Sequence, residues 1–198
     1  MSSDGFRVEI EGAEEVANAL DKVAWATTPR GMAQVLKDAG MVLRRRSMKA
    51  FREQSAPDNV GDEGQSREAA GGQWEPLAES TKHARRKGRG GRGSGPRILQ
   101  DTGTGRKSIA IDHDVPSASV AVGTAVQYMS YHQTGTEPYT IRARNAPMLV
   151  FMGPDGNLRF AKEVHHPGLP ARPFLGYDMS DIEGILRMCE SHLRRAAG

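Results

Sequence analysis

The chain is poor in cysteine, aromatics and long apolar runs. One cysteine, Cys189, among 198 residues excludes an intrachain disulfide and every paired-cysteine zinc or redox motif. It falls in the apolar register of a C-terminal helical pattern, the place of a small buried hydrophobe rather than an activated nucleophile. No apolar stretch approaches the ~20 residues that cross a bilayer, and the opening MSSDGFRVEIEG has neither a basic n-region nor an apolar h-region. A soluble protein made in a reducing interior, with no membrane partner, is the expectation. With 37% hydrophobic and 6% aromatic residues against 23 glycines and 11 prolines, residues 1–198 read as one domain whose small core carries long excursions.

Catalytic and cofactor signatures are missing as well. TGTGRKS, residues 102–108, looks like a phosphate loop, but Arg106 stands before Lys107 where that loop needs glycine. His165 and His166 are adjacent, so their side chains diverge, and neither HExxH nor GxSxG occurs. Asp101 and His132 read as hydrogen-bonding turn residues. Not an enzyme, with no cofactor and no metal, is the expectation.

Periodicity supplies the elements. Phe6, Val8 and Ile10 alternate as a short strand ended by Gly12. Val16, Ala19, Leu20 and Val23 stripe a first helix, and Thr28-Pro29 opens a second that carries Met32, Val35, Leu36, Ala39, Val42, Leu43 and Phe51 to about Gln54. Residues 55–73 are polar and aperiodic. Trp74, Pro76 and Leu77 form an apolar island in which the tryptophan anchors the loop to the core.

KHARRKGRGGRGSGPR, residues 82–97, reads as a flexible basic excursion. Two strands around a DHDVP turn follow, then a short helix stopped by Gly135. A second hairpin runs YTIRAR, PMLVFM, GPDGN, LRFAKEV. After LPARPFLG comes a terminal helix with capping-box spacing at Ser180 and Glu183 and a face of Ile182, Ile185, Leu186, Cys189 and Leu193. This is an α+β domain: helices on a largely antiparallel β-sheet, an irregular excursion at about 55–97, and a C-terminal helix.

Charge is blocky although the net is only +3. From residue 53 to 81, Glu53, Asp58, Asp62, Glu63, Glu68, Glu75 and Glu79 face one base, Arg67; from 82 to 97, Lys82, Arg85, Arg86, Lys87, Arg89, Arg92 and Arg97 face no acid. Neither block has the apolar periodicity to order itself without a partner. Arg85, Arg86, Lys87, Arg89 and Arg92 are the candidate contacts of the basic half. A nucleic-acid-binding module is the alternative reading, although no aromatic is interleaved for base stacking.

In order, QWEPLAEST, ILQDTGTGRKSI, VGTAVQYMSYHQTGT and LPARPFLG, spread over residues 74–176, resemble the phage virion morphogenesis family, the tail completion proteins of Mu-like and related tailed phages. The chain departs from that pattern at Gly105, where a leucine is usual, and at Met129, where an alanine is usual. The resemblance implies a structural virion protein of the neck, assembled in the host cytoplasm, that completes or terminates the tail and joins it to the head connector. It also implies a homo-oligomeric ring, expected to be hexameric, contacting other neck, connector and tail tube proteins, with non-specific contact to DNA in the lumen.

Pro170 and Pro173 fix the backbone on either side of Ala171 and Arg172. Arg172 then either binds a carboxylate of the next subunit or closes an intrachain salt bridge. Phe174 is expected to enter the core beside it. Arg172, Phe174 and Trp74 are the candidate residues of a subunit or neck interface.

Overall fold

The computed structural model describes residues 13–61, 64–86 and 97–198; the strand expected at Phe6, Val8 and Ile10 lies outside them. Helix α2 (Pro29–Glu53) is the spine. Thr28, extended at φ −66°, accepts the Gly31 N–H at 3.1 Å, and Pro29 sits where a helix has no use for an N–H. The helix stops where Gln54 turns left-handed at φ 56°. Its buried positions include Val35, Ala39, Gly40, Ser47, Ala50 and Phe51.

Gly40 marks the closest approach to the strands. A Cβ there would lie 2.6 Å from Ile111 Cγ2 and 2.8 Å from Val120 Cγ2. Those side chains belong to the antiparallel hairpin of β1 (Ala110–Asp114) and β2 (Ser119–Gly123), in which Ala110 pairs with Gly123 and Asp114 with Ser119. The strands continue through the expected DHDVP turn, and the reversal falls at residues 115–118, closed by Ala118 N–H donating to Val115 O at 3.1 Å.

Helices α1 (Ala13–Ala26) and α6 (Met179–Ala197) pack on each other and on α2. The cap of α6 is a box of Asp178 and Asp181 rather than Ser180 and Glu183. Tyr177 and Asn59 exchange N–H···O bonds of 3.0 Å in each direction, which keeps the chain extended up to Asp178. Arg46 of α2 then grips that cap. Its Nε donates to Asp181 Oδ2 at 2.6 Å and Nη2 to Oδ1 at 3.1 Å, while Nη1 pairs with Asp178.

The other strands depart from a single sheet. β3 (Tyr139–Arg142) pairs with β6 (Glu163–His166), and β4 (Leu149–Met152) pairs with β5 (Leu158–Ala161). LRFAKEV is thus split at Lys162 into two strands with different partners. The result among the described residues is α+β with three separate two-stranded antiparallel ladders.

The short helix expected before Gly135 is α5 (Tyr128–Thr134), and the TGTGRKS turn contains a single helical turn, α4 (Thr104–Lys107). The basic excursion begins as a helix, α3 (Glu79–Arg86), with Glu79 in its first turn and His83, Arg85 and Arg86 in its last. That polarity suits the helix dipole, and Lys82 Nζ meets Glu79 Oε1 at 2.7 Å.

The acidic half is also built onto its own chain, contrary to the expectation that it needs a partner. Ala56 N–H donates to Gly72 O, Gly71 N–H to Pro57 O and Gln65 N–H to Thr134 O, each at 2.8 Å. Backbone pairing across the loop substitutes for the apolar surface it lacks. Among the described residues no helix is long and apolar enough to cross a membrane.

The Arg46 grip makes α6 docking sensitive to acid. Burial opposes ionisation of Asp181, but the hydrogen bonds from Arg46 and the Asp178 amide, with the charges of Arg46 and Lys49, outweigh it and hold the carboxyl below its ordinary range. The unfolded chain therefore takes up this proton first. The contribution is complete above the unfolded carboxylate value near ~4 and is lost as pH falls through the lower folded value. Arg46→Ala should cost about 3 kcal/mol in urea unfolding at pH 7, and the gap from wild type should shrink by pH 3.

Candidate functional site

The motif segments that are scattered along the sequence meet in one place. Past the end of α2, residues 169–176 run as irregular chain, yet Ala171, Arg172, Pro173 and Phe174 are buried. Phe174 lies against Phe51 with ring centroids 5.4 Å apart, and Trp74 meets Phe51 edge-on at 5.6 Å and 85°. Ala50, Ala56, Ile98, Ile109 and Met129 complete the cluster. Each large ring buried here is worth about 2–3 kcal/mol.

Irregular chain has no ladder to satisfy its backbone, so side chains do it. Gln133 of α5 accepts the N–H groups of Phe174 and Leu175 on its Oε1, both at 3.0 Å, and donates from Nε2 to Leu175 O at 3.0 Å. Trp74 Nε1 donates to Pro173 O at 3.0 Å. Arg172 N–H donates to His132 O at 2.7 Å, and Thr136 and Leu169 bridge as a pair. Gly135, at φ 74° and ψ 179°, gives α5 an exit in a conformation open chiefly to glycine, which brings Thr136 to Leu169.

Arg172 itself is 6% exposed. Its Nε donates to Glu75 O at 3.0 Å and Nη2 to Pro76 O at 3.2 Å, so the guanidinium braces the segment leading into α3. Among the described residues it pairs with no carboxylate. Burial pushes its pKa down, partly offset by the charge of Glu75, but a guanidinium stays charged. Arg172, Phe174 and Trp74 are thus brought together within the chain: Phe174 enters the core as expected, and the arginine is aimed at main-chain carbonyls.

A groove of about 530 Å³ opens beside this clasp, lined in part by Arg85, Asp101, Tyr128, His132, His166 and Arg172. His132 Nδ1 is buried without a hydrogen-bond partner among the described residues. Burial, assisted by the Arg172 charge, lowers the pKa of His132 and keeps the ring neutral near pH 7. Among the described residues no three His, Cys, Asp or Glu side chains could hold a metal ion together.

The basic candidates divide. Arg85 Nη1 donates to Arg97 O at 2.7 Å and its Nε lies 3.9 Å from Asp101 Oδ1, so it ties the two ends of the basic excursion together. Arg86 is exposed and contacts His83. Lys87, Arg89 and Arg92 lie outside the described residues. The Arg46 grip and the Gln133 fork were not legible beforehand; a glutamine inside a motif shared with a family was the one available signal for the second.

Among the described residues, several large apolar side chains are left on the surface, two groups of them on α1 with α6 and on the β4–β5 hairpin. On α1 these are Val16, Leu20 and Trp25, while the α6 stripe exposes Leu186 and no α6 residue is fully buried. On the β4–β5 hairpin, Val150 opposes Phe160 and Met152 opposes Leu158, so all four share one face. Val150, Leu158 and Phe160 of that face are exposed, as is neighbouring Met148.

Compared with known proteins, the chain matches the model of the phage virion morphogenesis family over residues 12–194. No curated protein and no solved structure matches it.

The two departures from the family pattern are one packing event. A Cβ on Gly105 would overlap Met129 Sδ and lie 2.9 Å from its Cε, so the methionine fills the room a leucine at 105 would take. Gly105→Leu alone should cost about 1–3 kcal/mol by overpacking and Met129→Ala alone about 2–5 kcal/mol by cavity formation. The double variant should cost at least about 1 kcal/mol less than their additive sum in a denaturation cycle. Separately, Arg172→Ala should destabilise the isolated chain by about 3 kcal/mol, since two hydrogen bonds from a buried charged donor to the Glu75 and Pro76 carbonyls are lost. Arg172→Lys should recover only part of this, a single ammonium being unable to reproduce the fork.

Proposed function

The chain belongs to the phage virion morphogenesis family, and on that premise we propose that it is the ring-forming subunit that completes the tail and joins it to the head connector. A structural or assembly role in the phage virion follows from the family itself. The ring and its place at the neck are the proposal.

The observation that carries it is the exposed apolar surface. Leu20 is 64% and Phe160 63% exposed in the single subunit, and a chain of low overall hydrophobicity that leaves such side chains in water gains by covering them with protein. A subunit with two different apolar faces suits head-to-tail contacts, which close into rings when the rotation permits. A count of six, and contact of the basic excursion with acidic neck proteins or with DNA, are part of the same proposal.

Sedimentation and electron microscopy of the purified protein, alone and with tail tubes, test this. Closed rings, or caps on tube ends, are the expected result. A monomer under every condition would sink the reading. Steeply salt-dependent binding of free DNA by that monomer, with slope set by the phosphates neutralised, would put the nucleic-acid-binding alternative in its place.

A further inference from the structure

Independently of the ring reading, we infer that the outward face of helix α2, with the adjoining edge of α6, binds the phosphate backbone of double-stranded nucleic acid without regard to sequence.

The charge of α2 is lopsided. Seven bases stand against two acids, Asp38 and Glu53, a larger excess than the net +3 of the whole chain. Arg46 is occupied by the α6 cap, and Glu53 engages Lys49 at 3.7 Å and Arg52 at 3.5 Å. Arg30, Lys37 and then Arg44 with Arg45 remain, all exposed, following one another every two turns, about 10.5 Å along the axis, on the side away from Val35, Ala39 and Ala50. Among the described residues Arg30, Lys37 and Arg45 have no ion-pair partner, and Arg44 turns its Nε to Ile109 O at 3.0 Å rather than to a carboxylate. Asp38 already accepts from Gln34 Nε2 at 2.9 Å. A merely solvated helix face mixes its signs, and this one does not.

The adjoining edge of α6 continues the positive surface. A groove of about 350 Å³ separates the two helices there, lined in part by Gln34, Asp38, Arg187, Ser191 and Arg195. Arg187, Arg194 and Arg195 are exposed and outnumber Glu183 and Glu190, and Glu183 already lies 3.8 Å from Arg187. Chemistry then selects the occupant. A protein partner needs an apolar centre that excludes water, and Met41 is the one large hydrophobic that α2 exposes. A single strand needs aromatic platforms for its bases, and the one aromatic of α2, Phe51, is buried on the other side. A rigid row of cations about 22 Å long from Arg30 to Arg45 fits a duplex, whose backbone presents one negative charge per about 1.7 Å of axis. Guanidinium forks match phosphate oxygens, and contacts to phosphate carry no sequence information.

Fluorescence anisotropy of the full chain with a short labelled DNA duplex of arbitrary sequence tests the contact, with sedimentation reporting assembly separately. The logarithm of affinity should fall linearly with that of salt concentration, and Arg30→Gln, Lys37→Gln and Arg45→Gln should each take about 0.9 from the slope. The far-ultraviolet spectrum and thermal midpoint should not change. Combined, the three should weaken binding at least about tenfold at low salt. Failure of the wild-type chain to bind duplex at low salt overturns the contact, as does an unchanged slope in the α2 variants. Loss of binding only when Lys87, Arg89 and Arg92 are changed to glutamine gives nucleic acid to the basic excursion instead. Equal competition by polyglutamate gives the α2 face to an acidic protein. Rings that form normally but ignore the duplex overturn this contact and leave the ring reading standing, whereas a monomer that binds duplex through α2 upholds the contact and removes the ring.

Discussion

Irregular backbone can be buried only if something other than a helix or strand satisfies its donors and acceptors. The centre of this subunit is built under that constraint. Residues 171–174 sit in the core without a ladder, and three side chains stand in for one: Gln133 as a two-way fork, Trp74 as a donor to Pro173, and Arg172 as a brace to Glu75 and Pro76. The prolines help by removing two donors that would otherwise need partners. What the four sequence motifs share is not a reaction but membership of this satisfied knot, which explains why they are far apart in sequence and recognisable only together.

The knot also orders the rest. It closes the far end of α2, positions the start of α6 through the Asn59–Tyr177 pairing, and leads the chain into α3. Arg46 adds a second, electrostatic hold between α2 and the α6 cap. By contrast α1, the outer side of α6 and the β4–β5 hairpin rest on the subunit lightly, with their apolar residues only partly covered. The chain thus has a firm centre and a thinly packed periphery.

Local signals were legible in proportion to how local their causes are. Thr28-Pro29 announced α2, Gly135 announced the end of α5, and Trp74 read as an anchor because a lone tryptophan in polar chain has little else to do. The partner of that anchor, Pro173 O, is 99 residues away and leaves no trace in composition. Helix α3 was hidden by its charge: flexibility was inferred from the Arg/Gly tract that follows it, although its acid-first, base-last order was a helix signal. The α6 cap was misplaced by two residues because its position is set by pairing with Asn59, which no capping pattern encodes. Arg172 was singled out correctly as a constrained arginine, but sequence could not tell a carboxylate on a neighbour from carbonyls of its own chain.

The tie between Arg85 and Arg97 pins the base of the basic excursion. Once two ends are held by the fold, lengthening the connection costs only about 0.6 kcal/mol per doubling. Arg85 Nη1 reaching Arg97 O therefore separates the loop's length and content from the stability of the core. For evolution, this is a position where sequence can be gained or lost while the rest of the part stays the same. For engineering, it is a port: an epitope, fluorophore or affinity sequence inserted between these two arginines would be carried by every copy without disturbing the fold beneath it.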